Sequence, residues 1–171
     1  MKQASKLLAL FFFMSMQAES KTADLNQPLH IQAGSVEIRE KDGISIYKDN
    51  VLITRGSMII QGELIHVHTS ANEVKKIRVE GVPAKFKQLN DQDEEISAQS
   101  LQMEYQANNN KLILNKEAIL VQGQNRFTSE HIVYDTQQDI VQAGDPTTKD
   151  SEAETERVTI TIQPAKKKDS E

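Results

Sequence analysis

The chain has 171 residues, a formal charge of −5, no cysteine, no tryptophan and 5% aromatic residues. That length holds one domain, and the absence of cysteine rules out disulfides, thiol catalysis, thiolate metal sites and lipidation at a signal-peptide cysteine. The acidic balance and the scarcity of aromatic rings argue against nucleic acid as a partner.

Lys2 and Lys6 precede an apolar run over residues 7–16, which is too short to span a bilayer as a helix, and small residues follow at Ala18 and Ser20. This pattern reads as a secretory signal peptide over residues 1–18, with cleavage after Ser20 an equal candidate. From residue 19 on, 18 basic residues face 25 acidic ones, a formal charge of −7. Residues 19–26 form a polar leader. Gln27-Pro28 then opens a strand through Leu29 and Ile31, a placement in which proline removes no ladder hydrogen bond.

From there a pattern recurs: a small residue is followed three and five positions later by two apolar residues. It appears as Ala33-Val36-Ile38, Gly62-Ile65-Val67, Ala98-Leu101-Met103 and Ser129-Ile132-Tyr134, at spacings of 29, 36 and 31 residues. A second alternating run follows each unit, at Ile44-x-Ile46, Ile77-x-Val79, Leu112-x-Leu114 and Ile140-Val141. The period of two means strands with one apolar face. Turn residues separate them at Lys41-Asp42-Gly43, Asp49-Asn50, Glu80-Gly81-Val82-Pro83 and Asn108-Asn109-Asn110. Residues 51–69 also align without a gap on residues 118–136, placing Gly56 on Gly123, Glu63 on Glu130 and Thr69 on Thr136. Duplication of one structural unit accounts for that agreement in phase. Residues 145–156 are acidic and aperiodic and read as a mobile loop. One more strand, Val158-Thr159-Ile160-Thr161-Ile162, precedes a disordered tail over 164–171. The sequence therefore predicts an all-β domain over 27–163, with short strands stacked over one apolar interior.

No motif carries catalysis: there is no G-x-S-x-G, no H-E-x-x-H and no glycine-rich phosphate loop. His66-x-His68 places two imidazoles on one strand face, but nothing nominates a third metal ligand. The acids Asp93, Glu94, Glu95 and Asp135 read as solvated. What remains is the interior and the terminal strands, whose open edges can pair between chains. Such a head-to-tail contact does not close and makes an open array.

In order and spacing, Gln27-Pro-Leu-His-Ile31, Asn50-Val-x-Ile-x-x-Gly56, Gly81-x-Pro-Ala84-x-Phe86-x-Gln88, Ala98-x-x-x-x-Met103-x-Tyr105 and Ile132-x-Tyr134 resemble the OstA-like, LptA-type family of periplasmic lipopolysaccharide-transport proteins. The resemblance runs from about Asn26 to Gln163. It implies an open, slightly twisted β-jellyroll of two facing antiparallel sheets, with no cofactor, no metal and no catalytic residue. It further implies a periplasmic carrier that assembles head-to-tail, meets LptC on the inner-membrane side and the periplasmic domain of LptD on the outer-membrane side, and shields the acyl chains of lipopolysaccharide in an apolar groove. The groove residues expected to face inward are Leu29, Ile31, Val36, Ile38, Ile53, Ile65, Val67, Phe86, Met103, Tyr105, Leu114, Leu120, Ile132 and Tyr134. Arg78, Lys85 and Lys87 are candidates for lipid phosphates at a groove mouth. Leu29, Ile31, Val158, Ile160 and Ile162 are candidates for edge-strand assembly. The competing reading is a structural or adhesive secreted β-repeat protein that binds only protein, with a small lectin-like or inhibitor domain as a third.

Overall fold

A computed structural model describes residues 27–144 and 157–162. The expected signal peptide and leader, the acidic segment 145–156 and the expected tail lie outside the described residues. Among the described residues ten strands form: β1 (His30–Gln32), β2 (Ser35–Arg39), β3 (Ile44–Arg55), β4 (Met58–Ser70), β5 (Glu73–Leu89), β6 (Glu95–Gln106), β7 (Lys111–Gln122), β8 (Asn125–Asp135), β9 (Ile140–Ala143) and β10 (Thr159–Thr161). A 3-10 turn at Glu40–Asp42, closed by Gly43 at φ 62°, is the only helical element among the described residues. All pairings are antiparallel. β3 to β8 pair in chain order, β1 and β2 both pair with β3, and β9 and β10 both pair with β8.

The double use of β3 and β8 follows from a bend. Each strand from β3 to β8 shifts register near its middle, between Lys48 and Val51, Gln61 and Leu64, Glu80 and Ala84, Gln99 and Gln102, and Asn115 and Ala118, with β8 shifting opposite β7; β4 and β5 shift again near the hairpin between His68 and Thr69. At these irregularities the strand leaves one half-sheet and enters the other. We call the half bearing β2 and β9 sheet I, and the half bearing β1 and β10 sheet II. Two expected turns are therefore corners: Asp49-Asn50 and Glu80-Gly81-Val82-Pro83 lie inside β3 and β5 rather than between strands.

The inner face of each half-sheet is a set of rows of directly opposed residues. In sheet I one row reads Val36, Tyr47, Ile65, Val79, Met103, Leu114, Ile132 and Ala143. In sheet II the matching row reads Ile31, Ile53, Ile60, Phe86, Ala98, Leu120, Phe127 and Ile160. The buried members of both form one core cluster. Phe86 of sheet II stacks on Tyr105 of sheet I, ring centroids 6.3 Å apart, so the halves touch directly across the interior.

A strand alternates faces at every residue, so crossing the corner requires a phase change or a compensated bulge. β4, β5, β6 and β8 change phase by stepping three residues between successive inward positions: Gly62 to Ile65, Gly81 to Ala84, Ser100 to Met103 and Ser129 to Ile132. β3 and β7 instead insert two residues with positive φ, Asp49-Asn50 at 69° and 52° and Lys116-Glu117 at 64° and 53°, and keep phase. The small-x-x-apolar repeat is therefore the signature of the corner. Its third unit is out of phase by two. The corner in β6 is Ser100-Met103-Tyr105, not Ala98-Leu101-Met103, and Leu101 faces outward, as do Ile44 and Ile46.

The duplication is visible in the backbone. The paired positive-φ residues of β3 and β7 are 67 positions apart, as are Gly56 (φ 56°) and Gly123 (φ 57°). Thr69 N–H donates to the carbonyl of Gly43 at 2.8 Å, and Thr136 N–H to that of Asn110 at 2.7 Å, again the same offset.

Crowding sets the corner's residue size. A Cβ on Gly62 would collide with Val79 Cγ1 and stand 2.9 Å from the Glu80 carbonyl oxygen. Gly62→Ala is expected to cost about 1–3 kcal/mol and lower the midpoint of thermal unfolding by several degrees, measured by calorimetry. Phe86→Ala opens a cavity between the halves and is expected to cost about 3–5 kcal/mol in urea titrations.

Candidate functional site

Strand order runs in the same direction in both half-sheets, from β1 and β2 at one end to β9 and β10 at the other. Each half-sheet therefore has an unpaired strand at each end, and the interior meets solvent at both. Exposure along the inner rows follows this geometry. In the middle, Ile53, Ile65, Val67, Phe86, Met103, Tyr105, Leu114, Leu120, Ile132 and Tyr134 are buried. Towards the ends, Tyr47 of β3, Phe127 of β8 and Val141 and Ala143 of the edge strand β9 are partly buried, as are Leu29 and Ile31 at the front edge. At the edges, Val36 is 56% and Ile38 61% exposed, and on the last strand Ile160 is 52% and Ile162 75% exposed.

Ten of the fourteen expected groove residues thus pack in the middle of the interior. Val36 and Ile38 stand on the inner face by register, opposite Tyr47 and Ser45, and nothing covers them. The phosphate candidates stand on the outer faces. Arg78, Lys85 and Lys87 alternate with the inward residues Ile77, Val79, Ala84 and Phe86, so all three point away from the interior. Arg78 lies on the outside of sheet I, where its Nε donates to Glu104 at 2.9 Å. Lys85 and Lys87 lie on the outside of sheet II, and Lys87 pairs with Glu95 at 2.9 Å. The three do not meet at a groove mouth.

The remaining polar groups serve local structure. Asp135 accepts from the backbone N–H groups of Gln137 and Gln138 and closes the last hairpin. Tyr134 donates to Asp139, and burial together with that contact pushes its phenol far above the ordinary range. Ser100 is fully buried, and its Oγ is satisfied by donating to the Gln102 carbonyl at 2.7 Å. His66 and His68 stand on the outside of sheet I, directly opposite Arg78 and Lys76, two cations that oppose a metal ion between the imidazoles. No group of three or more metal-ligating side chains occurs among the described residues.

His68 and Glu104 tie stability to pH in the same direction. Burial, then the charges of Lys76, Arg78 and His66, depress the His68 pKa, and Glu104 opposes this only in part. Burial pushes Glu104 up, but hydrogen bonds from Arg78 and Gln106 and the charge of Lys76 outweigh it and hold the carboxyl below its usual value. A depressed histidine loses stability as pH falls from about 6.5, where the unfolded chain takes up a proton. A depressed carboxylate loses its share only as pH falls through the carboxylate range. His68→Asn should therefore flatten the decline in urea midpoint between pH 7.5 and 5.5 and leave the steeper acid limb below pH 4.5 in place.

The geometry defines a class: an open-ended, two-sheet β-jellyroll whose apolar interior runs uncovered to both ends. Residues 30–140 match the family model described as LptA/(LptD N-terminal domain) LPS transport protein, and the chain belongs to this family. It is 32% identical over 155 residues to the lipopolysaccharide export system protein LptH of Pseudomonas aeruginosa, covering 90% of this chain and 89% of that one. It is 27% identical over 142 residues to LptA of Escherichia coli K12, covering 82% and 75%. The crystal structure of LptH, described as the LptA-homologous periplasmic component of the lipopolysaccharide transport device, superposes with a TM-score of 0.74 at 32% identity over 82% of this chain and 99% of that one. The resemblance read from the sequence, and the all-β jellyroll it implied, are thereby established.

Proposed function

We propose that the chain is a periplasmic lipopolysaccharide carrier that works as a head-to-tail array. The observation that carries this reading is the continuity of the inner apolar rows to two uncovered ends. Each buried CH₂ contributes roughly 0.8 kcal/mol, so an acyl chain of about a dozen carbons costs on the order of 10 kcal/mol to leave in water. An interior lined by Ile, Val, Leu and Phe removes that cost without directional bonds, so the lipid can slide.

Joining one protomer's β9 and β10 edges to the β1 and β2 edges of the next extends both sheets by backbone hydrogen bonds. The same step covers Val36 and Ile38 of one copy and Ile160 and Ile162 of the other, and makes the two interiors one. By the same chemistry the front edge would meet LptC and the back edge the periplasmic domain of LptD. The chain performs no reaction in this scheme. The drive comes from an ATPase elsewhere in the pathway, and delivery to the periplasm rests on cleavage of the signal peptide.

Mass spectrometry of protein purified from cells should detect co-purifying lipid A; a lipid-free protein that also fails to take up added lipopolysaccharide would sink the carrier reading. Deletion of residues 157–171 removes the back edge of sheet II. It should abolish concentration-dependent oligomers in size-exclusion chromatography, and an unchanged profile would refute assembly through that strand.

A further inference from the structure

The outer face of sheet II carries a feature that passage through the interior does not use. β5 places Lys85 and Lys87 on this face, and β8 places Arg126 there. Between them β6 and β7 present Ser97, Gln99, Ile119 and Val121, a floor without charge. Register sets Ser97 between Lys87 and Val121, and Val121 beside Arg126. The surface forms an open concavity of about 280 Å³ here. Strands β5 and β8 are three strand spacings apart, about 14 Å, so cations stand on opposite sides of the floor. Glu95 holds Lys87 at 2.9 Å, whereas Lys85 and Arg126 have no carboxylate partner among the described residues.

The chemistry of the floor and rim narrows the occupant. Aliphatic side chains beside a hydroxyl and an amide suit a sugar ring, with its C–H face on Ile119 and Val121 and its hydroxyls on Ser97 and Gln99. The volume lies at the small end of ligand sites and holds one such ring with its substituents. Flanking cations select a saccharide that bears phosphate or carboxylate groups, on a chain whose net charge repels anions elsewhere. A peptide strand would need an open backbone edge, and the centre of a sheet offers none.

We propose that this outer cavity binds the anionic sugar portion of the carried lipid while the acyl chains occupy the interior. The inference rests on the carrier reading above. Sugar and acyl chains then lie on opposite sides of sheet II, so the same molecule spans an end or lip of the jellyroll, or two neighbouring protomers share it.

The test uses two probes with the mature chain: lipopolysaccharide oligosaccharide stripped of its acyl chains but retaining its phosphates, and intact lipopolysaccharide. In ¹⁵N NMR titrations the oligosaccharide should shift the amides of Lys85, Gln99, Val121 and Arg126. The double variant Lys85→Gln, Arg126→Gln should bind it at least tenfold more weakly, with an unchanged thermal midpoint because both side chains are exposed. Oligosaccharide shifts confined to inward-facing residues would overturn the inference, as would equal affinity in wild type and variant. It also falls if the variant loses self-association while oligosaccharide binding persists, since the face is then a protein contact. Failure of the wild type to bind intact lipopolysaccharide is a separate result that removes the carrier reading itself.

Discussion

Six strands must each turn the same corner and still keep their apolar side chains inside. A strand repeats every two residues, so a corner that displaces the chain by an odd step would expose the whole second half unless the sequence shifts phase at that point. β4, β5, β6 and β8 shift by placing three residues between inward positions, and β3 and β7 add two left-handed residues instead. Where the six corners stack, five of the inward side chains are small, Gly62, Ala84, Ser100, Ala118 and Ser129, all buried, and the sixth is Val51 of β3, opposite Gly62. Every other property of the molecule depends on this line. It makes one ten-stranded sheet face itself, it leaves two ends, and it joins the halves along one side by continuous backbone.

That construction has a mechanical consequence for a carrier. The middle of the interior is filled by its own side chains, and Phe86 meets Tyr105 across it. An acyl chain moving along the proposed route must part those contacts. Parting them about the corner breaks no ladder hydrogen bond, because the ladders run within each half-sheet and the strands themselves are the hinge. The lost contacts are dispersion and apolar burial, which an acyl chain restores in kind. Hydrogen-bonded or charged groups across the same interior would need partners of matching geometry in every position of the lipid, and sliding would stop at each one.

Much of this was legible in the residues. Period-two alternation gave the strands, the small-x-x-apolar repeat marked the corners of β4 and β8, and the offset between 51–69 and 118–136 recovered a duplicated hairpin that the backbone reproduces down to the φ of Gly56 and Gly123. Strand continuity was not legible. Asp49-Asn50 and Glu80-Gly81-Val82-Pro83 carry the same residues as hairpin turns, and local chemistry does not separate a turn that reverses the chain from a bulge that bends it. The outward direction of Lys85 and Lys87 followed from their alternation with Phe86. Their companion Arg126 did not, because it is 39 positions beyond Lys87 and meets that patch only through the register of three strand pairs. Ends are the other limit. Val36 and Ile38 obey the interior pattern because they are on the inner face, and periodicity carries no information about whether anything covers them.

Uncovered apolar edges are ordinarily an aggregation hazard, and secreted β proteins blunt them with charge, proline or closure. Here the protection is partial. Glu37 and Arg39 alternate with Val36 and Ile38 on β2, and they pair with each other at 2.7 Å on the outer side, leaving the inner side of the edge apolar. β10 has threonine on its outer face and no charge at all within Thr159–Thr161. A soluble monomer gains nothing from that arrangement, since one lysine turned inward on either strand would end the risk. A chain that must match a copy of itself needs the inner row to continue without interruption, and a charge there would be buried at every joint of the array at a cost of several kcal/mol. The same requirement separates the two faces of each edge strand: variation is tolerable outside, where Glu37 and Arg39 stand in water, and confined to apolar residues inside. The hazard and the proposed function are then one property of the edges, and the short length of β1, β2, β9 and β10 limits how far an unmatched partner can zip along them.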